Sequence, residues 1–546
     1  MEDVNFEFIS ADSPITLNFK NKIINEIDKD YSKETINLIN YLSSKKEVIR
    51  LFERDDINYW QFIPSYIHVA IKTSLKISDL LSKVNISMTP EKVLKHCIEK
   101  GIFMGSMQKI WVGDLDFIKN LLMRKLSRIF LFQNKIKEVD TLFITQPKNW
   151  QNGKDIEFSG MIEYFKKYNK NSCVVESPYY ADRLGDPRLS NIRKLRSDRY
   201  SNVIFYDSFE KLNCLFASVK ERFSKKKLIN IKVSNNNYLN FFINKILRWS
   251  INVILPYEII FIQKTADNIL EQIKCKNICV SYEHGPYSRA IVVSGIKKKK
   301  RSFGFVYGAM LHELNSDYSH INVSTNNKKK YIVPYKTFVY NKNQFESMIK
   351  EGSYKKNMIE VIGNWKIKYN HLKIKNKKRI DYKICFFDAI NQFKLHKIIF
   401  NSCLNAGFEK TDIYYRPHPH QSIKESYKNW VKAGGIINNI LDEKKNDLYD
   451  IINKTEICIH DLSTTILEAA SFKKNILYTN INYKNKKINL PKKNLFKNEI
   501  ELTKKLIRIK KNNNYKFTNL SKYGLSESLS DHEIFNTIYK TIFKED

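Results

Sequence analysis

Nowhere in the 546 residues do about 18 uncharged apolar positions follow one another, the run that a membrane-spanning helix requires. The nearest candidate, 241–262, is interrupted by Lys245, Arg248, Pro256 and Glu258. The first ten residues are acidic and lack the apolar core of a signal peptide. A soluble or peripheral chain is therefore expected. Cysteines are scattered, at 97, 173, 214, 275, 279, 385, 403 and 458, and no second close pair accompanies Cys275 and Cys279, which speaks against zinc. Several lie inside apolar runs, as buried free thiols do. The expected location is a reducing cytoplasm, with room for contact at the inner face of the plasma membrane. Acidic residues are few, 57 against 93 Lys and Arg, for a net charge of +36. That excess invites a nucleic-acid reading, yet no zinc finger, helix-turn-helix or RNP-like pattern accompanies it. The basic runs are short, at 225–227 and 297–301, and Lys, Asn and Ile are enriched throughout. An anionic substrate or a membrane surface accounts for the charge as well, and no nucleic-acid partner is expected. There is no solenoid-type repeat.

Apolar residues make up 42% of the chain, enough for a sizeable core, and the length suits two to four domains. Residues 1–139 carry mostly helical periodicity, over 34–52 and 66–84, with a helix start at Thr89-Pro90-Glu91. Trp60, Phe62, Tyr66, Phe103 and Trp111 recur there. They suit either helices packed on the next domain or a platform for a lipid-linked acceptor or membrane. From Val139 strands and helices alternate. Strands are expected at 141–145, 172–176, 202–206, 277–280, 302–307, 337–340, 360–362, 384–387, 413–415 and 476–478, in the order that builds parallel βαβ units. The Lys/Asn-rich stretch 482–517 reads as solvated surface, and 531–543 as a terminal helix. The fold class read from this pattern is α/β, with a helical extension over 1–139 and Rossmann-like domains over 140–335 and 336–546.

Two stretches concentrate polar chemistry at strand ends, where open α/β sheets bind ligands. One is Tyr414-Tyr415-Arg416-Pro417-His418-Pro419-His420. The other runs from Ile457 through His460, Asp461, Ser463, Thr464 and Thr465 to Glu468, Ala469 and Ala470. Asp461 or Ser463 reads as an N-cap, with a helix beginning at Thr464. Free N–H groups beside hydroxyls suit a phosphate. His418 would add a donor, and Glu468, about one turn in, could reach ribose hydroxyls. Earlier, a polar loop carrying Trp150 leads through Asp155 into a helix. The strand at 277–280 ends in Ser281-Tyr282-Glu283-His284-Gly285-Pro286, where Glu283 is either catalytic or a helix cap.

Arg416-Pro417-His418-Pro419, followed by Asp461-x-Ser463-Thr464-Thr465-x-x-Glu468-Ala469, resembles the donor half of GT-B glycosyltransferases of bacterial capsule and lipopolysaccharide synthesis, over about residues 275–480. The resemblance implies two Rossmann-like domains facing across a cleft. It implies a sugar moved from a nucleotide-sugar donor to a polysaccharide or lipid-linked glycan acceptor, with the nucleotide sugar as substrate, no cofactor and no metal. On that pattern Gly363, Asn364, Arg416, His418, Ser463, Thr464, Thr465 and Glu468 line the donor site. Trp150, His284 and Tyr307 lie on the acceptor side. Glu283 is the first choice of base and Asp155 the second, with His418 serving the leaving phosphate. Tyr307 stands where related enzymes carry a His, which weighs against the alternative of a CDP-polyol phosphotransferase.

Overall fold

The computed structural model describes residues 4–7, 15–19, 22–25, 31–55, 57–84, 88–128, 138–146, 150–151, 154–155, 157–177, 203–224, 230–281, 283, 285–306, 332–350, 354–365, 380–388, 392–418, 423–441, 447–481, 490–512, 514–518, 520–523 and 531–543. They divide into two compact units. One takes the described residues up to 306 and those of 332–338 and 347–360; the other takes 339–346 and those from Val361 onward.

The first unit is built on seven strands: β1 (Glu138–Thr145), β2 (Ser172–Glu176), β3 (Val203–Phe205), β4 (Lys274–Ser281), β5 (Arg301–Phe305), β6 (Lys336–Val339) and β7 (Ile359–Val361). Their order across the sheet is β3-β2-β1-β4-β5-β6-β7. The pairings from β3 to β6 are parallel. This is a doubly wound arrangement that reverses between β1 and β4. The last two strands, read from sequence as opening the second half, hydrogen-bond into this first sheet.

The segment before β1 shares a hydrophobic core with this sheet, so Trp60, Phe62 and Leu75 lie in one cluster with Leu142, Ile144 and Ile278. It also holds what periodicity did not reveal: a three-stranded antiparallel sheet of Val4–Glu7, Thr16–Phe19 and Lys22–Asn25. Strands of four residues give too few alternations to be read. Thr89 caps its helix, as the sequence suggested, by accepting from the Lys92 amide. Two helices are used below, α1 (Ile110–Arg128) and α2 (Leu212–Phe223). Both pack on α3, the continuous helix Asn237–Gln272, which widens to a π-type stretch at Ser250–Ile260 around Pro256. A proline without N–H favours such a local rearrangement. By length and composition α3 could cross a membrane, but its apolar window is 78% buried within the protein, as suits a core helix.

The second unit holds β8 (Tyr382–Phe387), β9 (Ile413–Arg416), β10 (Thr455–Asp461), β11 (Asn475–Thr479) and β12 (Leu495–Phe496), in the order β9-β8-β10-β11-β12, all parallel. Both faces are covered. Cys385, Phe387, Cys458 and Tyr478 pack in one cluster, while Ile384, Phe386, Ile459 and Leu477 pack in the other. That is why these strands read as unbroken apolar runs rather than alternating ones. Helix α4 (Phe393–Asn405) follows β8, α5 (Thr465–Ser471) follows β10, and α6 (Glu499–Lys510) follows β12. The last corrects the expectation of solvated surface over 482–517, because Leu502, Leu506 and Ile509 are buried. Lysines dominate the composition there, yet three apolar residues at helical spacing suffice to seat a helix. All eight cysteines are free and buried.

Candidate active site

In each doubly wound sheet the ligand-binding position is the carboxyl edge where the strand order reverses. In the first sheet that point is marked by Thr145 and Ser281, the last residues of β1 and β4. The Thr145 hydroxyl donates to Asp155 Oδ2, and the Ser281 hydroxyl donates to Glu157 Oε2. Asp155 Oδ1 accepts the backbone N–H groups of Glu157 and Phe158, both at 2.8 Å. The loop after β1 thus folds back and fixes two carboxylates over the reversal. Burial pushes the Asp155 carboxyl up to about 7; the Thr145 hydroxyl opposes this, and the nearby Glu157 adds to it. A carboxyl that titrates near neutrality is suited to proton transfer. Glu157 was not picked out in the sequence; its place two residues after Asp155, at the foot of a helix, was the available signal.

Glu283 lies two residues beyond β4 and is 3% exposed. Its carboxylate turns back over the sheet, accepting from Thr337 Oγ1 at 2.7 Å and from the Tyr354 hydroxyl at 2.5 Å. A Cβ at Gly304 would stand 1.8 Å from Glu283 Oε2, so the glycine makes room for the carboxylate. This is the geometry of an internal acceptor. Helix capping, the other role considered for Glu283, is corrected: Gly285 precedes the helix Pro286–Lys297 and no side chain caps it. Accordingly, Glu283→Gln should lower the melting temperature of the first unit. Gly304→Ala should lower it further, by about 2–4 kcal/mol of stability for overpacking onto a hydrogen-bonded carboxylate. Calorimetric scans of the two variants test this, and melting unchanged in both would contradict the internal role. Trp150 lies in a short strand, Trp150–Gln151, paired with Lys154–Asp155. His284 and Tyr307 lie outside the described residues.

In the second sheet the order reverses between β8 and β10. Phe387, the last residue of β8, pairs with Arg416 of β9 on one side and His460 of β10 on the other. The strands therefore end level, and His418 and Ser463 follow on the same carboxyl edge, on either side of β8. Two strand spacings, about 9.5 Å, separate the parent strands. His418 is half-buried. Arg416 is buried, and its Nη1 donates to the Leu441 carbonyl at 2.8 Å. The expected cap is corrected: α5 begins at Thr465, Thr464 has helical dihedrals, and no side chain caps the helix. Asp461 instead accepts from the Leu462 amide, and the Ser463 and Thr465 hydroxyls bond each other. None of these side-chain oxygens accepts from a helix N–H group as a cap. Glu468 Oε1 accepts from the Tyr449 hydroxyl at 3.3 Å. Gly363, after β7, has φ +83°, which a side chain would strain, and Asn364 follows it.

His460 completes the second edge and was not singled out in the sequence. It is fully buried and stacks on Phe387, with ring centroids 4.8 Å apart and planes at 12°. Its Nδ1 lies 3.1 Å from Thr465 Oγ1, and among the described residues Nε2 has no hydrogen-bond partner. Burial lowers its pKa to about 3. The ring is neutral at physiological pH and holds the Thr465–Ser463 hydroxyl pair. Its folded pKa lies below the ordinary value of about 6.5, so the unfolded chain binds the proton first. Its stabilising contribution is present above about 6.5 and fades as pH falls toward 3, by up to about 1.4 kcal/mol per unit. The acid-induced drop in melting temperature should therefore shrink in His460→Gln relative to wild type between those limits, as read by thermal melts across pH. An equal drop would contradict a neutral buried ring.

Compared with solved structures, the chain is similar to UDP-GlcNAc 2-epimerase from Neisseria meningitidis bound to UDP-GlcNAc, with 12% identity and a TM-score of 0.43 over 74% of this chain and 100% of that one. It is similar to Methanocaldococcus jannaschii UDP-GlcNAc 2-epimerase in complex with UDP-GlcNAc and UDP, with 14% identity and a TM-score of 0.41 over 74% and 99%. It is also similar to a glycosyltransferase from Rickettsia africae, with 11% identity and a TM-score of 0.41 over 75% and 100%. No family model matches the chain, and no curated protein matches it in sequence. Likenesses at this level carry no statement of what the chain does.

Proposed function

We propose that the chain is a GT-B-type glycosyltransferase that takes a nucleotide sugar and passes the sugar to a hydroxyl of a surface polysaccharide or lipid-linked glycan. The observation that carries the reading is the second sheet's carboxyl edge, where His418 and the Ser463–Thr465 hydroxyl pair flank the end of β8 at the reversal of strand order. A histidine and hydroxyls at such an edge suit a nucleoside diphosphate. The reaction breaks the bond between the anomeric carbon and the phosphate oxygen and forms one to the acceptor oxygen, through an oxocarbenium-like state. Negative charge gathers on the leaving phosphate, where His418 and one hydroxyl of the Ser463–Thr465 pair donate hydrogen bonds, the other hydroxyl donating within the pair. In this reading Asp155, which Thr145 fixes at the carboxyl edge where the order of the first sheet reverses, takes the acceptor proton; like Glu283 it is buried in this structure. Glu283, tied to Thr337 and Tyr354, holds the sheet beneath. Glu468 serves the ribose, and Gly363 and Asn364 the donor.

A thermal-shift screen with UDP, GDP, CDP, CMP and dTDP tests the reading. One nucleotide should raise the melting temperature in a concentration-dependent way. Stabilisation by none, or salt-sensitive binding to DNA or RNA in its place, would overturn it.

A further inference from the structure

We infer that α1 and α2 together form a surface that lies on an anionic lipid bilayer. On α1 the exposed residues Trp111, Leu115, Ile118 and Leu122 recur at spacings of four, three and four; on α2 Leu212, Phe216, Val219 and Phe223 do the same. Such spacing draws a single stripe along each helix. All eight side chains are large and apolar, and they are 39–74% exposed. Together they leave on the order of 1,000 Å² of apolar residue surface in solvent, against roughly 300–600 Å² for the largest patch on a typical monomer.

The two stripes are neighbours. Arg222 of α2 makes a two-pronged pair with Asp114 of α1, at 2.8 and 3.0 Å, and the Tyr257 hydroxyl of α3 donates to the same carboxylate at 2.5 Å. Helix α1 runs with α3, since Gly113 lies against Val253, and Phe117 against Tyr257 and Phe261. Helix α2 runs against α3, since Asn213 bonds Asn268 and Ser218 bonds the Pro256 carbonyl. The pair is therefore antiparallel. Its inner residues, Gly113 and Phe117 on α1 and Cys214 and Ser218 on α2, are buried, while the stripes lie away from them.

Charge names the occupant. Lys119 and Lys220 on the two helices, and Lys109 and Lys211 immediately before them, are exposed, against Asp116 as the exposed acid. The Lys109 ammonium sits 6.0 Å from the Trp111 ring centroid, and Lys225, Lys226 and Lys227 follow α2 in the sequence. A second copy docking by a two-fold axis would set this lysine rim against itself. Anionic headgroups neutralise it, while Trp, Phe and Leu enter the interface. Of the aromatics first considered for a membrane platform, Trp60, Phe62 and Phe103 are core residues and Trp111 alone among the five is exposed. The surface stands on observations separate from the nucleotide edge, and its test needs no activity.

The test is co-sedimentation of the full chain with phosphatidylcholine vesicles, with and without phosphatidylglycerol. Wild type should partition onto the anionic vesicles at least about tenfold better than onto neutral ones, and less so in high salt. Leu115→Ser combined with Phe216→Ser, and separately Lys119→Glu combined with Lys220→Glu, should each lower that partition about tenfold with melting unchanged. As a measurement independent of those variants, brominated lipid should quench wild-type fluorescence, and Trp111→Phe should remove most of the quenching. Equal binding to both vesicle types, variant binding equal to wild type, or a dimer that the apolar variant dissociates without any vesicle binding would each overturn the proposal.

Discussion

Asp155→Asn should lower sugar transfer by about 10²–10⁴, the usual worth of a general base, while leaving nucleotide binding intact. The replacement keeps the size of the side chain and an oxygen for the Glu157 and Phe158 amides that now reach Oδ1. It removes the proton acceptor. Wild-type transfer should rise as pH passes about 7, where the buried carboxyl ionises, and the variant's residual rate should lack that limb. Stability supplies a second signature with the opposite expectation. The folded pKa of Asp155 is raised above its ordinary value, so its contribution is full below about 4 and is lost as pH climbs to about 7. Asp155→Asn should thus become progressively more stable relative to wild type over that window. A purely structural role would leave transfer per folded molecule unchanged; that result, from initial rates normalised to active-site titre, would remove Asp155 from the chemistry.

His418→Ala is the second substitution with a large expected effect. One hydrogen-bond donor to a developing negative charge is worth about 10²–10³ in turnover, and His418, two residues beyond its strand, is half-buried where Phe387 and His460 are buried. The loss should appear in kcat more than in KM, because the charge develops only as the phosphate leaves. Turnover within about threefold of wild type would assign the leaving phosphate to other donors.

Periodicity and turn chemistry made the two parallel sheets legible. Unbroken runs such as Ile457-Cys458-Ile459 are what strands buried on both faces require, and here their residues divide between two cores. Helix Asp531–Phe543 and strand Ser172–Glu176 lie where their patterns put them. Short elements escaped. The N-terminal strands are four residues each, and α6 hides three buried residues in a lysine-rich stretch. At the sites, the sequence named the loops but not the orientations. Nothing in the residues around Glu283 announces that Gly304, far along the chain, leaves a space into which its carboxylate folds. Nor does the 457–470 stretch reveal that Thr465 is held by His460 and Ser463 rather than left to cap a helix. The first follows from packing between separate segments, the second from side-chain hydrogen bonds inside a single turn.

The central claim is that the carboxyl edge of the second sheet holds a nucleotide. Titration calorimetry, with the nucleotide selected by the thermal-shift screen, should give one-site binding to wild type. It should give binding weakened at least about tenfold, the loss of one or two hydrogen bonds to a charged group, in Ser463→Ala combined with Thr465→Val. Equal affinity in the two proteins, or no binding of any nucleotide to wild type, would contradict it.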